Sequence, residues 1–105
     1  MKVVKNGKTW DNAKIKQLLL RNDEAVKRAL IIIYNNQTED EKSSAETSKD
    51  NGIGFTGADA FILTQYAKWL LEKDYLTEKQ LNATRKRIVK YTRQILEHMK
   101  EELNE

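Results

Sequence analysis

The sequence predicts an all-α protein: a compact bundle of about four helices, closing on a C-terminal αα-hairpin and carrying a short N-terminal β-hairpin. Three observations predict it. No proline interrupts the 105 residues, and proline is the residue that most often stops a helix. Apolar residues recur at helical spacing in separate stretches of the chain. Several of those stretches open on a residue whose side chain can cap a helix: Asn22, Thr56 and Thr77. At this length a single domain over residues 1–105 is expected, with a small core that needs no staples.

Residues 2–10 read as a hairpin turning at Asn6-Gly7, a favoured two-residue turn. Its arms are short, and an isolated hairpin of that size is marginal. A helix is expected from about Asp11 to Leu20, with Ile15, Leu18 and Leu19 on one face. Asn22 or Asp23 caps the next helix, which runs to about Asn36. Its positions Val26, Ala29, Leu30, Ile33 and Gln37 advance by three or four residues. The run Leu30–Tyr34 is apolar almost all round, so this helix is expected to be the most buried. Its isoleucines also suit a strand, but the residues flanking it are good helix formers.

Thr38 followed by Glu41 has capping-box spacing, so a short helix is expected there. Residues 43–51 are polar and read as the most mobile loop. Thr56 then opens a third major helix, about Gly57 to Lys73, with Asp59 completing a pair like a capping box. Ala60, Leu63, Tyr66, Ala67, Leu70 and Leu71 give its expected buried stripe. After the connection Asp74-Tyr75-Leu76, Thr77 and Gln80 form a second capping box, and Leu76 with Leu81 occupies the hydrophobic-staple positions. The last helix is expected from about Glu78 past Met99, on a seam of Leu81, Thr84, Ile88, Tyr91, Ile95 and Met99.

Charge is segregated along the chain. The net charge is +3, but residues 1–21 are basic with Asp11 alone opposing them, residues 38–50 are acidic, and the tail 97–105 is acidic again. Between Lys79 and Arg93 the last helix carries Lys79, Arg85, Lys86, Arg87, Lys90 and Arg93 with no acid among them. At 100° per residue, Lys79, Lys86, Lys90 and Arg93 fall within about 60° of one another, opposite the apolar seam. Such a face is either plain solvated surface or a site for a polyanion. A helix built for solubility alone usually mixes Glu with Lys at i, i+4, so the missing acids favour the polyanion. The partner expected on that ground is DNA or RNA, held by its phosphates without sequence reading.

Other motifs point away from catalysis. Cysteine is absent, which excludes disulfides and thiolate metal sites and suits a reducing cytoplasm. No apolar run approaches membrane-spanning length, and no secretory leader is visible. Gly52, Gly54 and Gly57 spell G-x-G-x-x-G, but the dinucleotide fingerprint needs a strand before it and a βαβ unit around it. The preferred reading is structural: glycine supplies positive φ in a tight turn, and Phe55 plugs the core beside it. A third reading is capture of one phosphate by the helix start, against which Asp59 would compete. Trp10 and Trp69 are read as a lid and a part-buried core residue rather than base-stacking platforms. His98 with Glu101 or Glu102 has metal-ligand spacing, but two ligands near a chain end make a poor site. With a single histidine and no serine near it, no catalytic residue, cofactor or metal is expected.

The string NGIGFTGADAF over residues 51–61, followed by LTEKQLNATRKRIVKYTRQI over residues 76–95, resembles a small helical module of phage-encoded proteins. Stand-alone versions occur in phage, and related segments occur on phage-type and bacterial helicases. The QTEDE stretch and the helix before it fit the same pattern, so the resemblance covers about Val26 to Leu96. It marks Asn51, Gly52, Gly54, Phe55 and Asp59 in the turn. In the last helix it marks Leu76, Thr77, Lys79, Gln80, Arg85, Lys86, Lys90, Tyr91 and Gln94.

The resemblance, with the basic helix, implies a non-enzymatic phage-type module acting on nucleic acid or on a protein–nucleic-acid complex in the host cytoplasm. The alternative is a phage anti-defence protein of the anti-CRISPR kind. It would bind and block a host RNA-guided nuclease, its acidic segments standing in for phosphates.

Overall fold

Helical spacing and capping chemistry settle most of the backbone. The structure, a computed structural model, describes residues 2–37, 42 and 53–103. Strands β1 (Val3–Lys5) and β2 (Lys8–Trp10) pair antiparallel, with Val3 opposite Trp10 and Lys5 opposite Lys8. The turn residues Asn6 and Gly7 both have positive φ, 53° and 77°, which is what a type I′ hairpin turn needs. This hairpin is not isolated. Val3 is buried in the core, and Lys5 bonds Glu102 at 3.2 Å near the far end of the chain.

Helix α1 (Asn12–Arg21) is capped by Asp11, whose carboxylate accepts from the Lys14 amide. Asn22 serves two helices. Its amide donates to Leu18 at the end of α1, and its side chain accepts from Ala25 at the start of α2 (Asp23–Asn35). One junction residue between helices turns the chain sharply. Helix α2 then packs against α1 and against every later helix. It buries Val26, Ala29, Leu30, Ile33 and Tyr34, as the apolar run predicts.

Helix α3 (Gly57–Lys73) ends on Asp74, held at φ 66°. Helix α4 (Glu78–Ile88) starts on the expected capping box. Thr77 accepts from the Gln80 amide at 3.2 Å, and the Gln80 side chain accepts from the Thr77 amide at 2.9 Å. The staple residues Leu76 and Leu81 are half-buried against the core. Helix α3 packs on α4, and both pack on α2. Helix α5 (Thr92–Leu103) completes the bundle, lying against α1, α2 and β1. The radius of gyration, 13.4 Å, is near the ~13 Å of a compact domain this long.

The structure corrects three local expectations. The last helix is not continuous: Val89–Tyr91 tightens into a 3₁₀ turn between α4 and α5. The seam survives that break, because Thr84, Ile88, Tyr91 and Ile95 are all buried. Leu71 is exposed rather than part of the α3 stripe, whereas Thr64 and Asp59 are buried in it. Thr56 makes no side-chain cap: its hydroxyl donates to Asp59 Oδ2 at 3.4 Å and accepts from Tyr91 Oη at 3.3 Å instead. The short helix expected at Thr38–Glu41, the loop 43–51 and the turn residues Asn51 and Gly52 lie outside the described residues.

Candidate functional site: a locked turn beneath a basic face

Asp59 belongs to the first turn of α3, and its spacing from Leu63, Ala67 and Leu70 puts it on the buried face of that helix. A carboxylate there needs donors. The 3₁₀ turn and the end of α4 provide them. Tyr91 Oη donates to Asp59 Oδ2 at 2.6 Å, and Lys90 Nζ reaches the same oxygen at 2.6 Å. Arg87 Nη1 stands 3.8 Å from Asp59 Oδ1. The Asp59 side chain is 3% exposed, while that of Lys90 is 50% exposed. A buried anion is thus covered by a half-exposed cation.

Burial pushes the Asp59 carboxyl upward. Hydrogen bonds from Lys90 and Tyr91, with the charges of Lys90 and Arg87, outweigh it and hold the group below its ordinary value of 3.8. Burial, reinforced by the bond to Asp59, pushes the Tyr91 phenol up to about 12. Both groups are therefore in their functional forms, carboxylate and phenol, throughout the neutral range.

The turn before α3 is fastened to the same elements. Gly54 adopts φ 78°. Its amide donates to Gln94 Oε1 at 2.9 Å, and its carbonyl accepts from Gln94 Nε2 at 3.0 Å. Asn36, at the end of α2, donates to the same Gln94 oxygen at 2.9 Å. The Thr56 amide donates to Tyr91 Oη at 3.0 Å. Phe55 is buried and meets the Tyr91 ring edge to face at 6.0 Å. The glycine and the aromatic plug thus have the structural roles read from the sequence. Gly57, by contrast, needs no positive φ and simply opens α3.

This geometry decides between the readings of the turn. Among the described residues the only strands are those of the N-terminal hairpin, and no βαβ unit is formed among them. Phosphate capture at the start of α3 is also disfavoured, because Tyr91 already occupies the Thr56 amide and a buried carboxylate sits one turn away.

The basic strip divides in two. Arg85 is structural: its Nε donates to the Leu19 carbonyl at 2.9 Å, and its other nitrogens bond Asn82 and the Asp23 carboxylate. It ties α4 to α1 and α2. Arg87 and Lys90 serve Asp59, and Arg93 lies 3.9 Å from Glu97. Lys79 and Lys86 are exposed and have no hydrogen-bond or ion-pair partner among the described residues. The sequence treated these six cations as one face. It missed the division because, for Arg85, Arg87 and Lys90, the division depends on carboxylates 28 or more positions away, and it gave no site role to Asn82 or Asn36. One signal was available: a carboxylate at an apolar-stripe position of α3 requires cations from elsewhere in the fold.

His98 bonds Glu102 at 2.7 Å across one helical turn. Among the described residues no group of three or more potential metal ligands is found. Nor is any helix among them long and apolar enough to cross a membrane. No family model, curated protein or solved structure matches this chain.

Proposed function

We propose that this chain is a non-enzymatic binding module. It engages nucleic acid, alone or within a protein–nucleic-acid complex, through the basic face of residues 79–93, in the manner of the phage-encoded module it resembles. The observation that carries this reading is the α4 surface. There Lys79, Lys86 and Arg87 line one open groove whose only acid among its lining residues is Glu78. Unpaired lysines on a rigid, capped helix release counterions on meeting phosphates, and this gives affinity without base reading. The buried network of Asp59, Tyr91 and Gln94 supplies rigidity, fixing α4 and α5 against α3 and α2. Host cytoplasm is the compartment this reading implies.

Fluorescence anisotropy of the full chain with labelled mixed-sequence DNA and RNA strands tests it. Between about 50 and 200 mM salt, log Kobs is expected to fall linearly with log salt. Its slope is expected to be about −1.5 to −3, as for a handful of phosphate contacts, and insensitive to sequence. Absence of binding at the lowest salt would remove this reading. In its place would stand the anti-defence inhibitor, whose partner is a protein.

A further inference from the structure

Resting on that reading, we infer that the phosphodiester contact is confined to α4, where Lys79, Asn82 and Lys86 form a row of hydrogen-bond donors, and that Arg85, Arg87 and Lys90 hold the fold. The three residues lie at i, i+3 and i+7, so they share one helix face, and all three are exposed. They line the same groove, with Thr77 at one end and Arg87 at the other.

Their chemistry is matched to an anion. Lys79 and Lys86 present ammonium groups that no described residue engages. Asn82 is oriented by its neighbour: its Oδ1 accepts from Arg85 Nη1 at 3.3 Å. That bond occupies the amide's oxygen and leaves its two N–H donors for a ligand. Arg85 is itself fixed by Leu19 and Asp23, so the orientation of Asn82 is built into the helix packing. A row of donors with two charges fits successive phosphates of one strand, since phosphate oxygens are pure acceptors.

The other strip cations are differently placed. A phosphate approaching Lys90 meets an ammonium whose charge is already neutralised at 2.6 Å by Asp59. Arg87 shares that carboxylate, and Arg85 is turned inward to α1. Arg93 has Glu97 beside it on the next turn. A like comparison applies to the tail, where Glu102 already answers Lys5 and His98.

The test compares variants in the anisotropy assay with a mixed-sequence single-stranded DNA. The Lys79→Gln/Lys86→Gln double variant is expected to melt with the parent, because both side chains are exposed and unpaired. Its salt slope is expected to flatten by about 1.4 units, from two lost contacts on a single strand. Its affinity at low salt is expected to fall at least tenfold. Asn82→Ala is expected to weaken binding severalfold with the parent's slope, since it removes a neutral donor. Lys90→Gln is expected to lower the melting temperature while moving the slope by less than half a unit. The Lys8→Gln/Lys16→Gln double variant, with both positions exposed on β2 and α1, matches that loss of two charges and is expected to bind as the parent does. An unchanged slope in the double variant, with the slope lost instead in Lys90→Gln or Arg93→Gln, would overturn this inference and leave the nucleic-acid reading standing. A parent that binds no oligonucleotide would overturn both.

Discussion

Replacing Asp59 with asparagine is expected to lower stability by about 2–3 kcal/mol at neutral pH, the range for stripping a buried charge-assisted network of its anion. The upper figures for buried pairs do not apply, because Lys90 is half-exposed and water screens its share. The substitution keeps the shape of the side chain. It removes the charge that Lys90 and Arg87 answer, and it turns an acceptor into an N–H2 group facing their donors. For a domain of this size that is a fall of roughly 10–20 °C in Tm.

The pH dependence follows from the direction of the Asp59 shift. Its carboxyl is held below 3.8 in the fold, so its stabilisation is complete above that value. It is lost as pH falls through the lower, folded-state pKa. Denaturant melts of parent and variant are therefore expected to differ most at neutral pH and to converge below about pH 4. A gap that stayed constant to pH 2 would mean that the charge of Asp59 contributes nothing.

Gly54→Val is expected to cost about 3–4 kcal/mol, from two separable sources. A β-branched residue at φ 78° carries a backbone penalty of about 1–3 kcal/mol. A Cβ at Gly54 also comes within 2.8 Å of Gln37 Cγ, and overpacking of that kind costs about 1–3 kcal/mol more. Relief is hard to find. Gln37 is buried, and the backbone of Gly54 is bonded on both its polar groups to Gln94. Chemical denaturation of the variant measures the loss. A change below about 0.5 kcal/mol would show that the turn gives way without strain, within the range of an ordinary surface site.

The fold was legible where local chemistry decides it. Asn6-Gly7 specifies its hairpin turn, Thr77 with Gln80 specifies a helix start, and the apolar spacing of α2 specifies the buried face. The break at Val89–Tyr91 was not legible, because none of its residues is a glycine or proline. Leu71 continues the α3 spacing by pattern and still faces solvent. Of the basic strip, the sequence marked the six cations but not which of them pair with carboxylates. Arg85 and Lys86 are adjacent and alike in charge. One reaches inward to Leu19 and Asp23, and the other meets solvent. That difference comes from the packing of α4 against α1 and α2, which no spacing rule within α4 contains.

In the proposed division, α4 meets the ligand while Asp59, Tyr91 and Gln94 only hold it in place. An NMR titration of the isotope-labelled chain with an unlabelled single-stranded oligonucleotide tests that division most directly. Amide shifts are expected to concentrate over residues 78–87, with residues 54–56 and 90–95 nearly still. The largest shifts at 54–56 and 90–95, with 78–87 unmoved, would contradict it.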